Sequence, residues 1–484
     1  MSLSLTAKYF GVSIDKDVWL LSLSAVLFLD MAVWGPINET FRSKFIFLRG
    51  EVGEELALQK TRSLLFFSFI ISIGLVCLIL IFPEFLAKII APTYSGEKYH
   101  KLINMIVTAA PILLITQMSA IYVSILNAYE SFFIPEITGF ATSILNLILL
   151  ILLAPKIGIY SIVISYYIGS ILLLILLFIQ IRRMKIPIWV GYNVKFADFK
   201  IFFMFALPFF LPYSFGQISG VLEKTLVSTI GIGNVSALDY SRKFTDIFVS
   251  VLTSVLVTML IPVLSSKFVE SKPREFSANF MQIFQLGILL LSIIIPIFTS
   301  ASPFIVDIFF NKGKISSDTL TEISKLTMLY SWSTFPVFVY LIFGMALLAS
   351  GRGKKYAFYG MLAQIFSIFI NLAFVKVVGI FIFPISLLIS HMISGMIMAY
   401  KFPFKNRAIV KLFFKYIIIL ILNTVAVYFC SKIIQFGNGQ FLQIVINSAI
   451  TFILLLSFIY LLNLEEKNTI NLYSSKLISK WKNF

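Results

Sequence analysis

The chain is short of nearly everything a soluble enzyme uses. Only 13% of its 484 residues are charged, against about 25% in water-soluble domains. It has two cysteines and two histidines. Cys77 and Cys430 both stand inside apolar runs, with no C-x-x-C or Cys/His cluster around them. They read as small core hydrophobes rather than a disulfide or metal pair. His100 and His391 alone leave little for zinc or histidine-relay chemistry. No Walker-type loop, Ser/His/Asp set or pair of carboxylates in an outer loop occurs, so an ATP-driven pump or a hydrolase has no footing and no cofactor is expected. Residues 1–17 lack an apolar h-region, and no cleavable signal peptide is expected.

What fills the space is apolar. Hydrophobic residues make up 59% of the chain and aromatics 16%, with a mean hydropathy of +0.97. Such a surface is tolerable only where lipid is the solvent. The runs are continuous, as in LILLILLAP and SILLLILLFIQI, whereas a membrane barrel would alternate polar and apolar over about ten residues. The expected class is all-α and polytopic. The net charge of +17 reads as lysines and arginines in short loops that orient helices, with no nucleic acid as partner.

Polar and Gly/Pro breaks divide the chain into thirteen apolar segments, near 18–41, 63–83, 104–126, 134–154, 157–181, 201–228, 236–265, 283–310, 323–350, 357–378, 379–400, 411–434 and 441–463. Proline stands inside many of them, including Pro36, Pro111, Pro208, Pro212, Pro262, Pro296, Pro336 and Pro384; broken helices are tolerated where they bend or line a cavity. Assigning alternate loops to alternate sides puts 25 of the 39 basic residues on one side and eleven on the other, with Lys224, Arg242 and Lys243 in or beside apolar helices. The positive-inside rule makes the richer side cytoplasmic. The C-terminus is then inside and Met1 outside, an arrangement that suggests a missing first helix.

Features also recur at an offset near 222 residues. Gly11 and Asp17 match Gly233 and Asp239, Lys44-Phe45 matches Lys267-Phe268, Pro83-Glu84-Phe85 matches Pro303-Phe304-Ile305, and Leu126 matches Leu348. A shared offset at four places argues for duplication. Six helices separate the copies, so the repeats are parallel, and such repeats usually form two lobes that rock around a central cavity. The expected organisation is an N-terminal lobe over 1–185, a C-terminal lobe over 195–403, and two extra helices with a cytoplasmic tail over 404–484.

Charges inside the membrane are costly, about 2.5–3.5 kcal/mol each on insertion scales, and mark function unless paired. They cluster at Asp17, Asp30, Glu39 and Arg42; at Gln217, Glu223 and Lys224; and at Asp239, Arg242, Lys243 and Asp246. In the last group the i,i+3 and i,i+4 spacings put alternating charge on one helical face. One reading is a self-neutralised helix end at the interface. The other is a cavity face where Arg242 and Lys243 bind an anion and the carboxylates hold them, arginine suiting a phosphate through its planar fork. Gln117, Asn127, Glu130, Asn371, His391 and Asn423 read as interhelical hydrogen-bond formers.

Several stretches carry a resemblance. FGVSIDKDVWLLSL resembles the entry to the second helix of lipid II flippases of the MurJ/MviN type, within the multidrug/oligosaccharidyl-lipid/polysaccharide exporter superfamily. APTYSGEKYHKLINMIVTAAPILLITQMSAIYVSILNAYESFFIPEITGFATSILNLILL is similar to that family's third-to-fifth helix region, and QISGVLEKTLVSTIGIGNVSALDYSRKFTDIF to its seventh and eighth helices. SPFIVDIFFNKGKISSD and LLASGRGKKYAFYG are similar to the ninth to eleventh. The resemblance implies fourteen helices in two six-helix lobes plus two, in the bacterial cytoplasmic membrane. It also implies a flippase that moves a polyprenyl-pyrophosphate-linked glycan, with membrane lipids as neighbours and a coupling ion or the membrane potential as drive. Asp17, Lys243 and Asp246 fall on charged positions of the family's second and eighth helices. The family's first-helix arginines have no counterpart here, and its paired second-helix arginines are replaced in MAVWGPINET. Other readings are an O-antigen or capsule flippase, a cation-coupled multidrug exporter, and a non-transporting scaffold. The expected substrate-binding set is Arg242, Lys243, Lys224, Asp17, Asp239, Asp246, Glu39 and Arg42.

Overall fold

A computed structural model describes residues 2–188, 193–256, 260–404, 407–434 and 439–462, with Leu464 and Lys467. Among these residues there are helices and no strands. The helices are α1 (Ser2–Phe10), α2 (Ile14–Val52), α3 (Glu54–Ile81), α4 (Pro83–Ile90), α5 (Gly96–Ala109), α6 (Ile112–Ala128), α7 (Phe133–Ile157), α8 (Tyr160–Arg183) and α9 (Phe196–Ile230). They continue with α10 (Asn234–Val255), α11 (Ile261–Val269), α12 (Pro273–Phe310), α13 (Ser317–Ala349), α14 (Gly353–Val378), α15 (Ile382–Tyr400), α16 (Arg407–Ile433) and α17 (Gln440–Leu461).

Helix boundaries follow local chemistry. Ser13 caps α2 by accepting the Lys16 N–H at 3.4 Å, and Asp15 and Asp17 in its first turn complement the helix dipole. Gly53, at φ 84°, ends α2 in a backbone conformation that a side chain would strain. Pro83 sits in the first turn of α4 and Pro273 in that of α12, where the missing N–H costs nothing.

The duplication is visible in helix starts. Corresponding helices begin 220 residues apart for Ile14 and Asn234, 219 for Glu54 and Pro273, 221 for Gly96 and Ser317, 220 for Phe133 and Gly353, and 222 for Tyr160 and Ile382. α16 and α17 follow as the pair outside the repeat.

Among the described residues ten helices are long and apolar enough to cross a membrane, or eleven when the bent pair Phe196–Leu211 and Tyr213–Ile230, which meet at 53°, is one span. This count is lower than the thirteen segments read from the sequence because it joins helices that the fold keeps distinct. Segments 357–378 and 379–400 fall in one 48-residue stretch, Gly353–Tyr400, turned by a short 3₁₀ element at Gly379–Phe381. Within 236–265 lie α10 and α11, and the charges of α10 keep it out of the apolar class.

The chain divides into two compact units, each with its own core. The first holds 1–239, 312–315 and 360–383; the second holds 240–311, 316–359 and 384–484. In the first, α2 packs on α9, α5, α6 and α3 around buried Trp34, Phe41, Phe45 and Phe202, with the Phe41 and Phe202 rings stacked at 5.5 Å. In the second, α12 packs on α13, α16 and α17 through Phe276, Phe280, Phe284 and Phe338. Burying phenylalanines at helical spacing in this way gains large contact area at little rotamer cost. Asn423 of α16 donates to the Ser292 carbonyl of α12 at 2.7 Å, the interhelical role expected of it. Large apolar residues on α3, α7, α16 and α17 face outward, as lipid contact requires. Cys77 is among the exposed residues, which corrects its reading as a core residue, and neither cysteine is in a disulfide.

Candidate functional site

The charged residues singled out in the sequence fall into three places. The first joins the start of α2 to the start of α10. α10 has no acidic residue in its own first turn, and its free N–H groups need acceptors. Asp17 supplies them: its carboxylate accepts the Gly233 N–H at 2.5 Å, the Ser236 N–H at 2.8 Å and the Ser236 hydroxyl at 2.5 Å. Asp17 is therefore a helix cap contributed from another helix, fully buried. Beside it Lys16 pairs with Asp239 at 3.8 Å. Gly11 and Gly233, equivalent positions of the repeat, both take positive φ, 60° and 87°. Tyr94, in the turn between α4 and α5, has its hydroxyl pushed above the ordinary tyrosine range by burial and by the nearby Asp17 charge.

The second place is α10 itself. Arg242 Nε donates to Asp246 Oδ1 at 3.1 Å, the i,i+4 pair that the spacing predicts. The side chains are 38% and 47% exposed, so the pair lies where solvent or a ligand can reach it. Lys243 is half-buried on the same helix.

The third place is a cavity of about 560 Å³ in the first unit, lined by α2, α6, α8 and α9. Glu39 and Arg42 of α2 lie in its wall with Asn38, Thr116, Tyr166 and Tyr213. The Arg42 guanidinium sits over the Phe132 ring at 4.8 Å, an attraction that positions it without a carboxylate. Asn38 donates to the buried Gln117 side chain at 3.1 Å. Gly35 allows the Tyr213 ring to lie against α2, and the Tyr213 hydroxyl reaches Met31 Sδ at 3.4 Å. Lys224 is elsewhere on α9, donating to the Ser24 hydroxyl of α2.

The structure thus brings Glu39 with Arg42, Arg242 with Asp246, and Asp239 with Lys16. Asn38, Thr116, Tyr166 and Tyr213 were not singled out in the sequence, because uncharged polar residues are common between membrane helices. Among the described residues no group of three or more His, Cys, Asp or Glu can hold a metal ion.

This arrangement has relatives. The probable lipid II flippase MurJ of Borreliella burgdorferi is 25% identical over 404 residues, covering 82% of this chain and 77% of that protein. The lipid II flippase MurJ of Thermosipho africanus is 34% identical over 172 residues, 35% of each chain. Among solved structures, a lipid II flippase MurJ in an inward closed conformation superposes with a TM-score of 0.81 at 21% identity, covering 97% of this chain and 96% of that one. An inward-facing multidrug resistance MATE transporter of the MOP superfamily gives 0.71 at 13% identity, covering 85% and 94%. These two are likenesses of fold. The profile of the family described as lipid II flippase MurJ matches residues 6–447, and the chain belongs to that family.

Proposed function

We propose that this protein moves lipid II, a polyprenyl-pyrophosphate-linked glycan, across the bacterial cytoplasmic membrane by alternating access, without catalysing a covalent step. The observation that carries the reading is the family match over 6–447. The charge chemistry agrees with it. A pyrophosphate is bound by charge-assisted donors, and the Arg242 guanidinium is oriented by Asp246 and partly exposed. Lys243 and Lys224 add cationic charge, and Asp17 and Asp239 hold the neighbouring backbone and Lys16 in place. Glu39 and Arg42 mark a second polar surface in the cavity on α2.

The functional lobes proposed are 1–185 and 195–403, with 404–484 adding two helices and a cytoplasmic C-terminus, and an ion gradient or the membrane potential supplies the drive. The fold likeness to MATE transporters makes multidrug export the competing reading. A carrier of cationic drugs needs an anionic site, whereas the charges on α10 include two bases, Arg242 and Lys243, the first paired with Asp246. Depletion in a living cell separates the two: the flippase reading expects a polyprenyl-linked glycan precursor to accumulate facing the cytoplasm, with sensitivity to lipophilic cations unchanged. Hypersensitivity to such cations with a normal precursor pool rejects it.

A further inference from the structure

Asp30 lies in the middle of α2, sixteen residues past Ile14 and 6% exposed, and has no cationic partner among the described residues. Its Oδ2 is 3.1 Å from the Thr116 hydroxyl of α6, and its Oδ1 is buried with no hydrogen-bond partner. Unpaired carboxylates inside membrane segments are rare, and they mark ion or proton pathways. Thr116 is also a wall residue of the 560 Å³ cavity, a volume that accommodates many waters at about 30 Å³ each. The carboxylate is therefore one hydroxyl away from a polar cavity.

The Thr116 hydroxyl has more acceptors than it has protons. Besides Asp30 Oδ2 it lies 3.1 Å from the Ile112 carbonyl and 3.0 Å from the Leu113 carbonyl, and a hydroxyl has a single hydrogen to give. Two states satisfy the group. With Asp30 protonated, its O–H donates to Thr116 Oγ, and the threonine hydrogen goes to a backbone carbonyl. With Asp30 ionised, the threonine hydrogen turns to Oδ2, and the released proton passes to water in the cavity.

Tyr166 of α8 and Tyr213 of α9 line the cavity with Thr116. On α2 itself Glu39 and Arg42 line the cavity beyond. α6 carries no charged residue. Lys224 of α9 donates to Ser24, Lys60 of α3 pairs with Asp198 at 2.9 Å, and Lys101 of α5 pairs with Asp15 and Glu97 at 3.3 Å. On α4, Glu84 and Lys88 line a separate pocket with Pro83 and Phe85. A metal cation would want more oxygens than one carboxylate and one threonine provide.

We infer that Asp30, gated by Thr116, is a proton-binding site that couples proton movement to transport. What the proton drives rests on the flippase reading; the proton site itself does not. Two measurements on the full-length protein separate these. The first is pH-difference infrared spectroscopy in lipid nanodiscs. A buried carboxylic acid band is expected in the native protein, lost in Asp30→Asn, retained in Asp30→Glu and shifted in Thr116→Val. A band that survives Asp30→Asn, or is indifferent to Thr116→Val, overturns the site. The second is lipid II translocation in liposomes under an imposed pH gradient, expected to respond in the native protein and to lose that response in Asp30→Asn. If the native protein translocates lipid II but ignores the gradient, or answers only to sodium, the coupling is overturned. If it moves no lipid II while the band still maps to Asp30, the flippase reading fails and the proton site stands.

Discussion

The Asp17 carboxylate caps the helix that contains Ser236, a residue 219 positions away in the chain. The equivalent aspartate of the repeat, Asp239, does something else: it takes Lys16 as an ion-pair partner. Duplication has left the same residue at both places, and the fold gives each a different task.

Asp17→Ala should destabilise more than it alters transport per folded molecule. Losing an N-terminal cap costs about 0.5–2 kcal/mol, and here two N–H groups and a hydroxyl lose their acceptor in a buried setting. Thermal unfolding in detergent reads the stability, and transport normalised to folded protein reads the rest. An Asp17→Ala protein of native stability and lowered transport would make the residue a substrate ligand.

Arg242→Ala and Lys243→Ala should do the reverse. The Arg242–Asp246 pair is more than a third exposed, and such pairs, screened by solvent, contribute little stability, about 0–1 kcal/mol. Transport should fall steeply while expression and melting temperature stay near native, and Arg242→Lys should recover only part because lysine lacks the planar fork. Loss of expression in step with activity would make the cluster structural.

Single cysteines placed at Lys195 and Lys354, in a background without Cys77 and Cys430, should resist membrane-impermeant thiol reagents in intact cells. The 25-to-11 split of basic residues puts both positions on the cytoplasmic side. Labelling from outside at either one would invert the proposed topology.

Asn423→Leu should loosen α16 from α12. The change removes the 2.7 Å bond to the Ser292 carbonyl from a fully buried position, worth on the order of 0.6 kcal/mol by comparison with other membrane helices. A lower melting temperature with unchanged per-molecule transport is expected, and an unaltered melting temperature would show that α16 is held by its apolar contacts alone.

What could be read in advance followed the range of the interaction. The i,i+4 pair on α10 needs only helical geometry, so Arg242 and Asp246 were legible as partners. The repeat was legible too, because glycine, proline and charge recur at helix ends where backbone chemistry demands them. The Asp17 cap was out of reach, since nothing local connects it to Ser236. The cavity was only half legible. Glu39 and Arg42 stood out as charges, whereas Thr116 and Tyr213 acquire meaning only when α6 and α9 are laid beside α2.

The Asp17 cap also has a schedule. At about 5–20 residues per second of synthesis, the 219 residues between Asp17 and Ser236 take roughly 11–44 s to follow. Throughout that interval the carboxylate has neither of its backbone donors, and the start of α2 must wait with Asp17 in contact with water or headgroups. The cap therefore cannot form until the start of α10 has been made. A ribosome stalled before residue 233 holds a chain in which Asp17 has yet to meet its partners.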